Sequence, residues 1–245
     1  MAHRACLVIR LACDTSTEQA SLSLDVDGHQ STESWTKNHS HSELILGAFQ
    51  RLLDSRKITA DQIDHYLCAV GPGSFTGLRV AVNFVKSLAY CYDKPVFTAS
   101  SLLVLAERSQ TESKDLVVLG NAFSQQLFWA RYRLEAGRIE TKTPPSSCFT
   151  EDLGEHLKAE DHLISPSGAF YDGLQEELAE QGHRLELLSD HRPVASEALL
   201  GLHSRDSKAL DHRTWAQVEP LYIRASSAEE KLWNGGLKPP KRLFK

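Results

Sequence analysis

Between Leu7 and Gly28 the chain reads LVIRLACDTSTEQASLSLDVDG: apolar residues run together, break at a polar turn, then alternate with serines and aspartates. That pattern predicts a buried strand, a turn at Asp14 to Thr17, a half-buried second strand, and a third strand from about His29 to Thr36. From Ser42 to Ser55 the period changes. Leu44, Ile45, Leu46, Ala48, Phe49, Leu52 and Leu53 fall on one wide apolar helix face. TADQID (Thr59 to Asp64) reads as a short capped turn. A strand at Tyr66 to Val70, a glycine-rich turn, a helix from Phe75 to Tyr92, a strand at Val96 to Thr98 and a helix from Ser100 to Arg108 complete a first half.

After Lys114 the order repeats. Leu116 to Asn121 and Gln126 to Leu134 give strand, turn, strand, and Gly137 starts a short third strand. Helices are expected near Thr150 to Ala159, Phe170 to Gln181 and Ala195 to Arg205, with strands near His162 to Ser165 and Arg184 to Leu188. Two βββαβα halves imply a duplicated α/β fold. A single doubly wound sheet fits less well, because the turns within each opening trio are too short for parallel crossovers. The expected division is a lobe over 1–110, a smaller lobe over 111–225, and a basic disordered tail over 226–245.

Composition narrows the function. A chain of 245 residues with 41% apolar and 24% charged residues can bury a substantial core. No apolar run approaches the ~20 residues of a membrane span, and none is expected to meet a membrane. Cys6, Cys13, Cys68, Cys91 and Cys148 form no CxxC pair and read as reduced thiols of a cytoplasmic protein. The net charge of −5 argues against a chain that grips nucleic acid alone. His39, His41 and Glu43 lack the HxxxH spacing that puts two imidazoles on one helix face, so no metal site is expected there. Trp129 and Tyr132 are expected in the core, and LKPPKRLFK (Leu237 to Lys245) as a solvated end.

The glycine turn, AVGPGSFTGLR (Ala69 to Arg79), fails three tests for catalysis. It lacks the lysine of a phosphate-binding GxxxxGK[ST] loop, is one residue too long for GxGxxG, and has no GxSxG around Ser74. The structural reading is that Gly71 and Gly73 permit unusual backbone, Pro72 stiffens the turn, and Ser74 caps the next helix. On that helix Leu78, Val80, Ala81, Val82, Phe84, Val85, Leu88, Ala89 and Tyr92 leave only a narrow polar stripe of Arg79, Asn83 and Lys86. One side must lie on its own sheet. The other needs either the helix at Ser42 to Ser55 or a second protein.

Four stretches in this order, LACDTSTEQASLSL, HSELIL (His41 to Leu46), GPGSFTGLRV and SSLLVLA (Ser100 to Ala106), resemble the TsaB (YeaZ) family of bacterial tRNA threonylcarbamoyladenosine biosynthesis. PLYIR (Pro220 to Arg224) is similar to that family's C-terminal motif. The match is dense over the first 110 or so residues and thin from Lys114 to Glu219. The resemblance implies the duplicated, two-lobed actin-like fold of the ribonuclease H-like, sugar-kinase and Hsp70 superfamily.

It further implies a non-catalytic paralogue of TsaD. Such a subunit would scaffold the complex that makes N6-threonylcarbamoyladenosine at position 37 of tRNAs reading codons that begin with A. The implied partners are a TsaD-type catalytic subunit, a TsaE-type ATPase, tRNA through the complex, and a second copy when the chain is alone. Asp14, Thr15 and Ser16 would be a vestigial phosphate loop; Gly71, Pro72, Gly73 and Gly77 a structural turn. His41, Leu44, Leu46, Ser74, Phe75, Thr76, Arg79, Val82, Asn83 and Lys86 would meet the partner. No catalytic residue and no cofactor are expected on this chain. ATP is used by the assembled pathway, and a nucleotide at the joint interface is left open. Asn121, Ala122 and Phe123 stand where the family has aspartate, alanine and arginine, which weakens any metal-nucleotide role. The competing class is an enzyme, either a sugar-kinase-like ATPase using Asp14 or a glycoprotease-type hydrolase.

Overall fold

The computed structural model describes residues 8–36, 41–109, 115–122, 125–166, 173–188 and 193–224. Cys6, His39, Phe123, the expected helix start at Phe170 and the tail from 226 lie outside them. The first sheet is built from β1 (Ile9–Asp14), β2 (Gln19–Val26), β3 (His29–Thr36), β4 (His65–Ala69) and β5 (Val96–Ala99), joined by α1 (His41–Arg56) and α2 (Phe75–Tyr92). α3 (Ser101–Ser109) then leads to β6 (Asp115–Asn121), β7 (Gln126–Glu135) and β8 (Arg138–Phe149). α4 (Leu153–His156), β9 (His162–Pro166), α5 (Leu174–Glu180), β10 (Leu185–Leu188), α6 (Ala195–Asp206) and β11 (Asp211–Arg213) follow.

The duplication is explicit in the strand order. One sheet runs β11-β5-β4-β1-β2-β3 and the other β10-β9-β6-β7-β8. In each, the opening hairpins are antiparallel and the two later strands are parallel to the first. Side-chain alternation then builds the layers. Leu11 and Cys13 of β1, with Tyr66 and Cys68 of β4, face α1 and α2; Ala12, Leu67 and Ala69 face the opposite way, toward α3 and α6. In the second sheet Leu116 and Val118 join that same central core, while Val117 and Leu119 face α4 and α5. The sequence of layers is α1 and α2, first sheet, α3 and α6, second sheet, α4 and α5. Trp129 and Tyr132 are buried, as their pattern implied.

Four features depart from the sequence reading. The third strand of the second half is 12 residues long rather than short, carrying Pro144 and Pro145 at the sheet edge where missing amides cost little. The helix expected over Thr150 to Ala159 is a 3-10 turn at Thr150–Asp152 and a single turn of α4, in which only Leu153 is buried. β11 has no apolar pattern and is held by antiparallel pairing with β5. Most consequential, α6 and β11 follow the second half in sequence but pack on the first sheet, α6 against β1, β2 and β4. The boundary near residue 110 is therefore not a packing boundary.

Candidate functional site

The motifs that stand apart in sequence meet at one end of β1, at the mouth between the two sheets. Asp14 turns its carboxylate back on its own loop and accepts the Ser16 amide at 2.6 Å. Burial pushes the Asp14 carboxyl above its ordinary range, opposed by that hydrogen bonding to Ser16 and by the charges of Arg108 and His41. The glycine turn sits directly on this loop. The Ser74 amide donates to the Ser16 carbonyl at 2.8 Å, and the Thr15 hydroxyl donates to the Gly77 carbonyl at 2.6 Å. A Cβ on Gly73 would stand 2.4 Å from the Ser16 carbonyl oxygen, and one on Gly77 1.9 Å from that of Thr15. Glycine is required at both positions by backbone meeting backbone.

Ser74 caps α2, its Oγ accepting the Gly77 amide at 3.3 Å, as the spacing predicted. In the actin-like arrangement implied by the sequence, Asp14 to Ser16 would hold a phosphate. Here the N-terminus of α2 occupies the loop instead. Ser101 closes the other side: its amide donates to the Gly71 carbonyl at 2.6 Å and its hydroxyl accepts the Gly71 amide at 3.1 Å. Ser100 caps α3 and bonds the buried Tyr132 hydroxyl of the second sheet at 3.0 Å.

PLYIR enters the same place. The Leu221 amide donates to the Val70 carbonyl at 2.7 Å, and Gly71, with φ of +116°, leaves room for the Leu221 carbonyl 2.9 Å from where a Cβ would lie. Arg224 reaches across to donate to the Ala122 carbonyl at the second hairpin turn. From Trp215 to Tyr222 the chain lies antiparallel beside α2. Trp215 packs edge-on against Tyr90 at its C-terminal end, the Val218 carbonyl accepts from Lys86 at 3.3 Å, and Tyr222 stacks on Phe75 at its start. The Arg79 guanidinium lies 4.0 Å over the Phe75 ring and its Nε donates to the Tyr222 hydroxyl at 3.1 Å. This strap went unrecognised in the sequence. Its signal was the apolar series Trp215, Val218, Leu221 and Tyr222.

The residues expected to meet a partner separate accordingly. Leu46 is 65% exposed on the outer face of α1, and Thr76 and Asn83 are exposed on α2. Leu44 and His41 are partly covered, the latter accepting the Trp35 indole N–H at 3.2 Å. Val82, by contrast, is only 2% exposed and belongs to the core under α1 and α2, so it presents nothing to a partner. Phe75, Arg79 and Lys86 are engaged by the strap. One flank of α2 is thus covered by the chain itself, while Thr76, Arg79, Asn83 and Tyr90 stay exposed.

Among the described residues no group of three or more His, Cys, Asp and Glu side chains is placed to hold a metal ion, and no helix is long and apolar enough to cross a membrane. A cavity of about 760 Å³ opens on the second sheet between Asp115, Arg133, His162 and Arg184, at the end of β6 opposite Asn121. Among its lining groups, Arg133 pairs with Asp115, Asp161 with Arg131 and His162 with Glu186.

Comparison with known proteins agrees with this architecture. The family model for TsaD, tRNA N6-adenosine threonylcarbamoyltransferase, matches residues 36–188. The tRNA threonylcarbamoyladenosine biosynthesis protein TsaB of Bacillus subtilis is 27% identical over 195 residues, 78% of this chain and 82% of that protein. Its namesake from Escherichia coli is 25% identical over 232 residues, 91% of this chain and 97% of that one. The solved structure of YeaZ from Pseudomonas aeruginosa shares the fold, with a TM-score of 0.72 at 24% identity over 88% of this chain and 100% of that one. The chain belongs to the tRNA N6-adenosine threonylcarbamoyltransferase family, among its TsaB members.

Proposed function

We propose that this chain is a non-catalytic subunit in the biosynthesis of N6-threonylcarbamoyladenosine in tRNA, docking a catalytic TsaD-type paralogue through the outer layer of its first sheet. The observation that carries the reading is the Asp14 loop. The Thr15 hydroxyl is committed to the Gly77 carbonyl of α2 and the Ser16 amide to Asp14 itself, and the first turn of α2 lies on the loop at backbone contact, where a phosphate-binding loop would stand open. Chemistry then belongs to the paralogue. A TsaE-type ATPase and tRNA would join through that pairing, and any nucleotide would sit at the joint surface. The relatives' shared name, tRNA threonylcarbamoyladenosine biosynthesis protein, supports the pathway.

The test is co-purification of the chain with its organism's TsaD-type protein, followed by assay of modified adenosine in tRNA from cells lacking the chain. Wild type should co-elute and restore the modification. Leu46→Glu, which places a charge on an exposed apolar position without touching the core, should weaken association at least tenfold and leave the fold intact. A lone chain that itself hydrolyses ATP at a rate abolished by Asp14→Asn would overturn the reading.

A further inference from the structure

We infer that the strap, Trp215 to Tyr222, is the third row of the docking surface, beside α1 and α2, and that its outer side meets the catalytic paralogue directly. The inference rests on the pairing proposed above. The strap is a fixed part of the layer: Val218 is buried in the first-half core, and the Leu221 amide is bonded to β4's end at Val70. Because it lies over Phe75, Arg79 and Lys86, a partner approaching this flank of α2 touches the strap first.

The exposed surface points the same way. Nine large apolar side chains are exposed among the described residues, and six of them, Leu46, Tyr90, Tyr92, Trp215, Leu221 and Tyr222, lie on α1, α2 or the strap. Scattered apolar side chains are ordinary, whereas a concentration on one face marks an interaction surface. Trp215, Leu221 and Tyr222 keep 38%, 37% and 44% of their surface open although each is anchored by its neighbours. Tryptophan, tyrosine and arginine on a rigid support are the residue types that dominate binding energy at protein interfaces.

Size and charge select the occupant. Helices of 16 and 18 residues, ~25 Å long and ~9 Å apart, project a face of roughly 500 Å². A third row raises that by about half, toward the ~800 Å² that each side of a stable protein interface contributes. α2 carries Arg79 and Lys86 and no carboxylate, in a chain of net charge −5. The strap itself carries only Glu219, so the two cations of α2 leave the seam weakly positive. That complements a protein surface with an apolar centre and an acidic rim, and falls short of the six to ten phosphate contacts that a nucleic-acid interface typically makes.

The experiment compares binding of the full chain to the TsaD-type protein by calorimetry for wild type, Leu46→Glu, Trp215→Glu, Leu221→Glu and, on the second sheet, Leu187→Glu. Trp215→Glu and Leu221→Glu should each raise Kd at least tenfold with an unchanged melting temperature, and Leu187→Glu should bind as wild type. If Leu46→Glu weakens binding while both strap variants stay within twofold, this inference falls and the pairing stands. If none of the variants weakens binding, both fall. Hydroxyl-radical footprinting of the wild-type chain needs no variant to fold: Trp215 and Tyr222 should lose at least half of their oxidation when the TsaD-type protein is added. Unchanged oxidation, or protection by tRNA alone, would overturn the inference.

Discussion

At Gly77 a methyl group has nowhere to go, because the atom it would strike is the Thr15 carbonyl oxygen at 1.9 Å and both segments are pinned. Gly77→Ala should therefore destabilise the fold by about 3 kcal/mol or more, since overpacking against backbone cannot be relieved by a rotamer change. Gly182→Ala, where φ is +83° and nothing lies within 4 Å of the added carbon, should cost only about 1 kcal/mol of backbone strain. Urea unfolding of the two variants checks the contrast. A second residue-scale prediction concerns His203 on α6. Burial, with Arg10 and His65 facing it, pushes its pKa down to about 4. Arg10 comes from β1, where it also pairs with Asp25, His65 from β4 and His212 from β11, and the rings pack around Phe97. Its folded value lies below the ~6.5 of a free imidazole, so in that window the unfolded chain holds more protons and stability rises with pH. The contribution is complete above ~6.5 and lost below about 4. Because the site is half open, His203→Gln should remove only about 1–2 kcal/mol of that pH dependence, measurable as unfolding free energy from pH 4 to 7.

Among the elements, those with a strong period were legible. β3 and α2 run over the very residues their patterns indicated, and α1 differs by one residue at each end. Elements held by partners rather than by their own pattern were not: β11 is three residues of an edge pairing, and the strap is irregular backbone whose apolar positions make sense only against α2. The candidate site divided in the same way. The glycine turn's role was readable because Ser74 and the glycines act locally, while Val82 could not be assigned a face until the sheet was in place. α6 illustrates a borrowed cap. Val194 offers no side-chain oxygen, and the Ser196 amide at the helix start is accepted by the Ser21 hydroxyl of β2 at 3.1 Å. Ser21→Ala should orphan that buried amide and cost about 1–3 kcal/mol, more than an exposed serine truncation, by thermal or urea unfolding.

At the scale of the molecule, the central core decides cooperativity. Ala12, Leu67, Ala69 and Ala99 of the first sheet share it with Leu116, Val118, Ala130 and Ile164 of the second, through α3 and α6. Glu107 on α3 pairs with Arg205 on α6, and Arg205 also donates to the Gly137 carbonyl of the β7–β8 turn at 2.7 Å. Two halves built around one interior should unfold together. Scanning calorimetry should give one transition with equal calorimetric and van't Hoff enthalpies, and a fragment of residues 1–110 should fail to fold because α6, β11 and the strap are missing; two separate transitions would contradict this. The strap also sets where attachments leave the molecule. Arg224 holds the chain beside the second hairpin turn, whereas β1 begins at Ile9, at the other end of a six-residue strand and so ~20 Å away. A domain inserted directly after Arg224 would begin its path at the mouth where the motifs converge and crowd the strap, while one inserted directly ahead of β1 would start from the far rim and leave that mouth clear.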